Sequence, residues 1–76
     1  MALYARVEKT EEDERRVRYA YTDVAGATRI LLLDKDAGTT SADDGVEDML
    51  YRAVAGKVAA AWAHSGVAPD RLMVQS

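Results

Sequence analysis

A chain of 76 residues has room for one domain, and at this size only about 60% of the unfolded surface becomes buried, so the stability margin is thin. The absence of cysteine excludes disulfides, thiolate catalysis and sulfur-ligated zinc, and a single histidine argues against a nitrogen-rich metal site within one chain. A net charge of −3 and a pI near 5.0 set the average field against nucleic acid and anionic lipid.

Residues 1–76 are expected to form a single unit without repeats or low-complexity linkers. No apolar run approaches the roughly 20 residues of a membrane span. The stretch MALYARVEKTEEDE lacks a basic region followed by an apolar core, so no secretory signal is read and a cytoplasmic location is expected. Small domains without disulfides or metals often gain support by associating, which makes oligomerisation the support left to this chain.

Residues 2–9 (ALYARVEK) alternate, with Leu3, Ala5 and Val7 on one side and Tyr4, Arg6 and Glu8 on the other. Period two with β-branched and aromatic content predicts a half-buried strand. TEEDER (10–15) reads as a charged loop, and RVRYAYT (16–22) alternates again. Pairing Val7 with Val17, Ala5 with Tyr19 and Leu3 with Tyr21 collects the apolar side chains on one face. It also sets Glu8 opposite Arg16, a favourable cross-strand pair.

A two-residue turn at Ala25-Gly26 would use the conformational freedom of glycine. It would place Tyr21 opposite Ile30 and Tyr19 opposite Leu32 in a third strand, TRILLLD (28–34). Leu31 and Leu33 would then point away from the core, onto a second apolar face.

The run from Asp34 to Asp48 is crowded with acids. A calcium loop beginning at Asp34 fails, because Thr39 falls where glycine is needed and Gly45 where a bidentate Glu is needed. Beginning at Asp36 puts Glu47 at the twelfth position but Gly38 and Ser41 at the third and sixth. A turn followed by a helix start fits better, with Asp44 as N-cap and Glu47 three residues on, or Ser41 with Asp44 one turn earlier. No metal or cofactor is expected.

VEDMLYRAVAGKVAAAWAH (46–64) predicts a long helix. Leu50, Val54, Val58, Ala61 and Trp62 form its apolar stripe beside Tyr51, with Asp48, Arg52, Ala55, Ala59 and Ala63 opposite. Gly66 suits a left-handed cap and Pro69 prevents continuation. His64, in the last turn, suits the negative end of the helix dipole better than a general-base role without a partner. Ala55-Gly56-Lys57 resembles the end of a phosphate loop but lies mid-helix, lacks the following Ser or Thr, and follows no strand. Gly56 would instead allow another element to approach closely. RLMVQ (71–75) reads as a last short strand.

The expected fold is α+β: a three-stranded antiparallel meander, one long helix on one face, and a short fourth strand parallel to the third (βββαβ). That strand could lie beside the third or beside the first, and the doubly apolar third strand favours the former, order 1-2-3-4. One helix covers one face, which would leave Tyr4, Leu31, Leu33 and Met73 as interface residues on the other. The leading functional expectation is therefore a non-catalytic interaction module that forms a homo-oligomer, or meets a protein partner, through that face. The first alternative is a nucleic-acid-associated protein using Arg6, Arg16, Arg18 and Arg29 as polyanion contacts, disfavoured by the acids around them. The second is a small ligand-binding domain with its site at a dimer interface.

Overall fold

The computed structural model describes residues 3–75. The fold is α+β. Five strands, β1 (Tyr4–Glu12), β2 (Arg16–Asp23), β3 (Thr28–Asp34), β4 (Thr39–Ala42) and β5 (Arg71–Gln75), surround one helix in sequence, α1 (Met49–Ser65), between β4 and β5. The strands form one antiparallel sheet in the order β4-β3-β2-β1-β5. Residue 2, where the first strand was expected to begin, lies outside the described residues.

The first hairpin turns tightly about Asp13. Its carboxylate accepts from the Arg15 and Arg16 amides at 2.8 and 2.7 Å, so β1 continues through the first half of the run expected to be a loop. Val7 consequently faces Tyr21 rather than Val17, and a bulge between Lys9 and Glu11 brings Glu12 opposite Val17. The displacement before the bulge is even, so Ala5, Val7, Val17, Tyr19 and Tyr21 still share the helix-facing side.

The second hairpin differs by one residue, and there the effect is large. The Asp23 carboxylate accepts from the Ala25 and Ala27 amides, and the Asp23 amide donates to the Ala27 carbonyl at 3.0 Å. The loop is thus Val24-Ala25-Gly26, three residues long, with Gly26 at φ 87°. Tyr21 pairs with Arg29, Tyr19 with Leu31 and Val17 with Leu33. A one-residue slip turns every side chain of a strand over. Leu31 and Leu33, expected on the uncovered face, are fully buried under the helix.

The acidic run, expected to form only a loop, contains strand β4. The Asp34 carboxylate accepts from the Asp36 and Ala37 amides, and the Gly38 amide donates to the Asp34 carbonyl at 2.8 Å, which folds β4 back along β3. Because β4 occupies the free edge of β3, β5 cannot lie there. It pairs instead with β1, the less favoured of the two expected neighbours, and runs antiparallel to it rather than parallel.

The helix starts at Met49, three residues later than expected. Its N-cap is Asp48, not Asp44, with the Asp48 carboxylate accepting from the Tyr51 amide at 2.9 Å. Gly66 closes the other end in the left-handed conformation, its amide donating to the Trp62 carbonyl at 2.8 Å. The helix buries Tyr51, Val54, Ala55 and Val58 against the sheet, with Leu50, Ala53 and Trp62 packed at the margin. Ala55 therefore belongs to the inner face, a correction to its expected position. Gly56 is exposed, and a Cβ built there would meet nothing within 4 Å, so it accommodates no close approach within the chain.

Candidate functional site

The pleat assigns each strand residue to the helix side or to the open side of the sheet. Along β2 the open side carries Arg16, Arg18, Ala20 and Thr22, and along β3 it carries Ile30 and Leu32. Leu32 stands beside Arg18, and Arg18 beside Glu11. Ile30 stands beside Ala20, and Ala20 beside Glu8. Met73 of β5 lies next to Arg6, and Tyr4 next to Gln75. The centre of the open face is thus a half-buried apolar strip, Ala20-Ile30-Leu32, with charged side chains around it.

Of the expected interface residues, Tyr4 and Met73 lie on this face, and Met73 is 50% exposed. Leu31 and Leu33 do not, and Ile30 and Leu32 take their place. The sequence contained the signal that would have found them: Asp23 followed three residues later by Gly26 supports a three-residue loop, and that loop length decides which leucines face the helix.

Arg6, Arg16 and Arg18 are exposed on the open face as expected. Arg6 approaches Glu8 at 3.7 Å, while the Arg16 and Arg18 side chains make no ion pair among the described residues. Arg16 borders several shallow depressions. One, of about 340 Å³, is bordered by Glu11, Arg18, Leu32 and Asp43. Another, of about 250 Å³, is bordered by Leu32, Asp34, Thr39 and Ser41.

Arg29 is absent from this group, which corrects its place among the polyanion contacts. It pairs with Tyr21 on the helix side, where its guanidinium donates to Asp48 at 2.7 Å, Asp44 at 3.1 Å and the Val46 carbonyl at 2.7 Å. The bonds to Asp44 raise its pKa further. The Val46 amide and then Arg29 hold the Asp44 carboxyl below the usual range. The Tyr51 amide does the same for Asp48, with Arg29 adding to it.

A second cluster sits under the other end of the helix. Lys35 and Lys9 both reach Glu12, at 2.6 Å each, and Lys9 also reaches Asp70 at 2.9 Å. Lys35 and then Lys9 lower the Glu12 pKa. The Lys35 ammonium also donates to the Asp13 carbonyl at 2.7 Å and stands 5.9 Å from the centre of the Trp62 ring. Two phenols complete the ties between layers: Tyr19 donates to the Pro69 carbonyl at 2.8 Å, and Tyr51 bonds the Thr40 hydroxyl at 3.0 Å.

The acids of residues 34–48 are therefore dispersed among tasks. Asp34 shapes a turn, Asp44 engages Arg29 and the Val46 amide, and Asp48 caps the helix. Among the described residues no group of three or more His, Cys, Asp or Glu side chains is placed to hold a metal ion. His64 is exposed in the last helical turn. Among the described residues no helix is long and apolar enough to cross a membrane.

No protein family matches the chain, and neither a curated protein nor a solved structure resembles it significantly.

Proposed function

We propose that the protein is a non-catalytic interaction module that binds a second copy of itself through the open face of its sheet. The observation that carries this reading is the strip Ala20-Ile30-Leu32, which lies on the face opposite the only helix among the described residues. Contiguous apolar surface rimmed by polar residues marks contact sites more often than it is left bare.

The charges around the strip suit self-association. Arg16 and Arg18 lie on β2, and Glu8 and Glu11 on the adjacent β1. In a two-fold contact each patch meets its counterpart, so the arginines of one copy can lie over the acids of the other while the apolar strips stack. A polyanion would meet the same acids, and Arg29 is engaged elsewhere, which leaves the nucleic-acid alternative with less support than the sequence suggested.

Sedimentation equilibrium at high micromolar concentration tests the proposal. A native mass of at least twice the chain mass is expected, and it should fall in Leu32→Glu as the open-face contact is lost. A monomer at that concentration, or a dimer indifferent to Leu32→Glu, overturns it. Salt-sensitive retention of the parent on DNA or RNA would support the alternative instead, with a log–log slope of nearly one unit per phosphate contact.

A further inference from the structure

The geometry points to strand β5 as a second contact surface, one that pairs edge to edge with β5 of another copy in an antiparallel ladder centred on Met73. It is separate from the open-face reading, since it uses backbone groups at the rim of the sheet and does not involve Ile30 or Leu32.

The Lys9 amide donates to the Asp70 carbonyl at 2.9 Å, and the same ladder continues through the pairs Val7–Leu72 and Ala5–Val74. In antiparallel pairing the residues that bond one neighbour alternate with those that face away from it. Residues 70, 72 and 74 therefore spend their backbone groups on β1, and Arg71, Met73 and Gln75 direct theirs outward. Among the described residues no turn or loop bond uses the outward groups. They form an open edge without proline or a bulge, two of the usual protections of such a strand, and its one charged side chain, Arg71, stands at the end of the strand.

The opposite edge of the sheet differs. Asp43 donates to the Ile30 carbonyl, so Ser41 and Thr39 share its alternation, and only Thr40 and Ala42 face outward from β4. The Ala42 carbonyl already accepts from the Gly45 amide at 3.0 Å. One edge is short and partly closed, while the other is unblocked.

The sequence of β5 identifies the occupant. About a two-fold axis at Met73, the strand Arg71-Leu72-Met73-Val74-Gln75 reads as its own complement. Met73 meets Met73 and Arg71 meets Gln75, so every outward donor faces an acceptor and no like charges are opposed. On the helix side the half-buried Leu72 comes against Val74 of the second copy, apolar on apolar. A register displaced toward the start of the strand runs into Pro69, which has no N–H and whose carbonyl is taken by Tyr19. The centred register satisfies all three outward residues.

Because the chain has no cysteine, single cysteines can test this directly. A bonded antiparallel pair holds its Cα atoms about 5.5 Å apart, inside the range a disulfide spans. In the centred register, residue 75 faces residue 71, which leaves two copies of residue 75 roughly 13 Å apart. Mild oxidation of the full chain should convert most of Met73→Cys to a covalent dimer and leave Gln75→Cys monomeric. Equal yields at both positions, or no product at either, overturn the proposal. Repeated in the Leu32→Glu background, the cross-link at 73 should persist. Its loss there would make the edge contact a by-product of the face contact and overturn it as an independent surface. Persistence with no loss of native mass would instead sink the open-face reading alone.

Discussion

Arg29 and Tyr21 stand opposite each other on β3 and β2, with the guanidinium carbon 5.5 Å from the centre of the phenol ring. The same guanidinium engages Asp44, Asp48 and the Val46 carbonyl, so one side chain joins the sheet to the segment that starts the helix. Beneath it the Tyr21 hydroxyl is buried with no hydrogen-bond partner among the described residues, and burial raises its pKa.

Removing this joint should loosen the helix N-terminus. Arg29→Met and Arg29→Lys are both expected to lower the thermal midpoint by a few degrees, because an ammonium cannot reproduce the planar fork that reaches both carboxylates. Asp44 and Asp48 have depressed pKa values in the folded state, so the unfolded chain binds more protons on acidification. Their contribution is present at neutral pH and is lost as pH falls through the depressed values. Calorimetry across the acid range should show a shallower decline in an Asp44→Asn, Asp48→Asn double variant than in the parent. A parallel decline would refute the assignment.

Neighbouring leucines should behave oppositely. Leu33 is fully buried, and Leu33→Ala should cost about 2–5 kcal/mol, enough to threaten a domain with so little reserve. Leu32, on the open face, should cost well under half as much when truncated. Urea titration at concentrations low enough to keep the chain monomeric distinguishes the two, and equal losses there would contradict the β3 register.

The helix contains a glycine that no packing requires. Gly56→Ala adds a methyl to open space and should stabilise by about 0.5–1 kcal/mol through backbone entropy. A lower midpoint for this variant would indicate that something covers Gly56 in solution.

Alkaline pH should act through Tyr19. Burial pushes its phenol up to about 12, so the folded state keeps a proton that the unfolded chain releases earlier. Stability is then complete below the ordinary tyrosine value and declines as pH rises toward 12. Tyr19→Phe should lose about 1 kcal/mol at neutral pH with the bond to Pro69, and should decline less above the ordinary value. Tyrosinate absorbance during unfolding provides the measurement.

The strands β1, β2, β3 and β5, the helix and its Gly66 cap were legible because period two, period 3.6 and turn chemistry each leave a local mark. Placement was less accessible. Whether the second loop has two residues or three depends on the Asp23 carboxylate bonding the Ala25 and Ala27 amides, and that choice moved Leu31 and Leu33 into the core. Strand β4, Thr-Thr-Ser-Ala, carries no large apolar residue and declares itself only by pairing with β3. Its presence then decided where β5 could go. Arg6, Arg16 and Arg18 kept their side because they occupy strands whose register moved by an even step, whereas Arg29 belonged to the strand that turned over.

The pairing of β1 with β5 also governs the order in which the sheet can be made. Tyr4 meets Gln75 and Glu8 meets Arg71, contacts between the first and last described strands to leave the ribosome. Closing so long a span is costly in chain entropy and slows folding relative to local hairpins. Until residues 71–75 emerge, the amides of Ala5, Val7 and Lys9 line an unguarded border. A nascent chain paused just before β5 is therefore the form most open to mispairing, and the stage at which a chaperone would have most to protect.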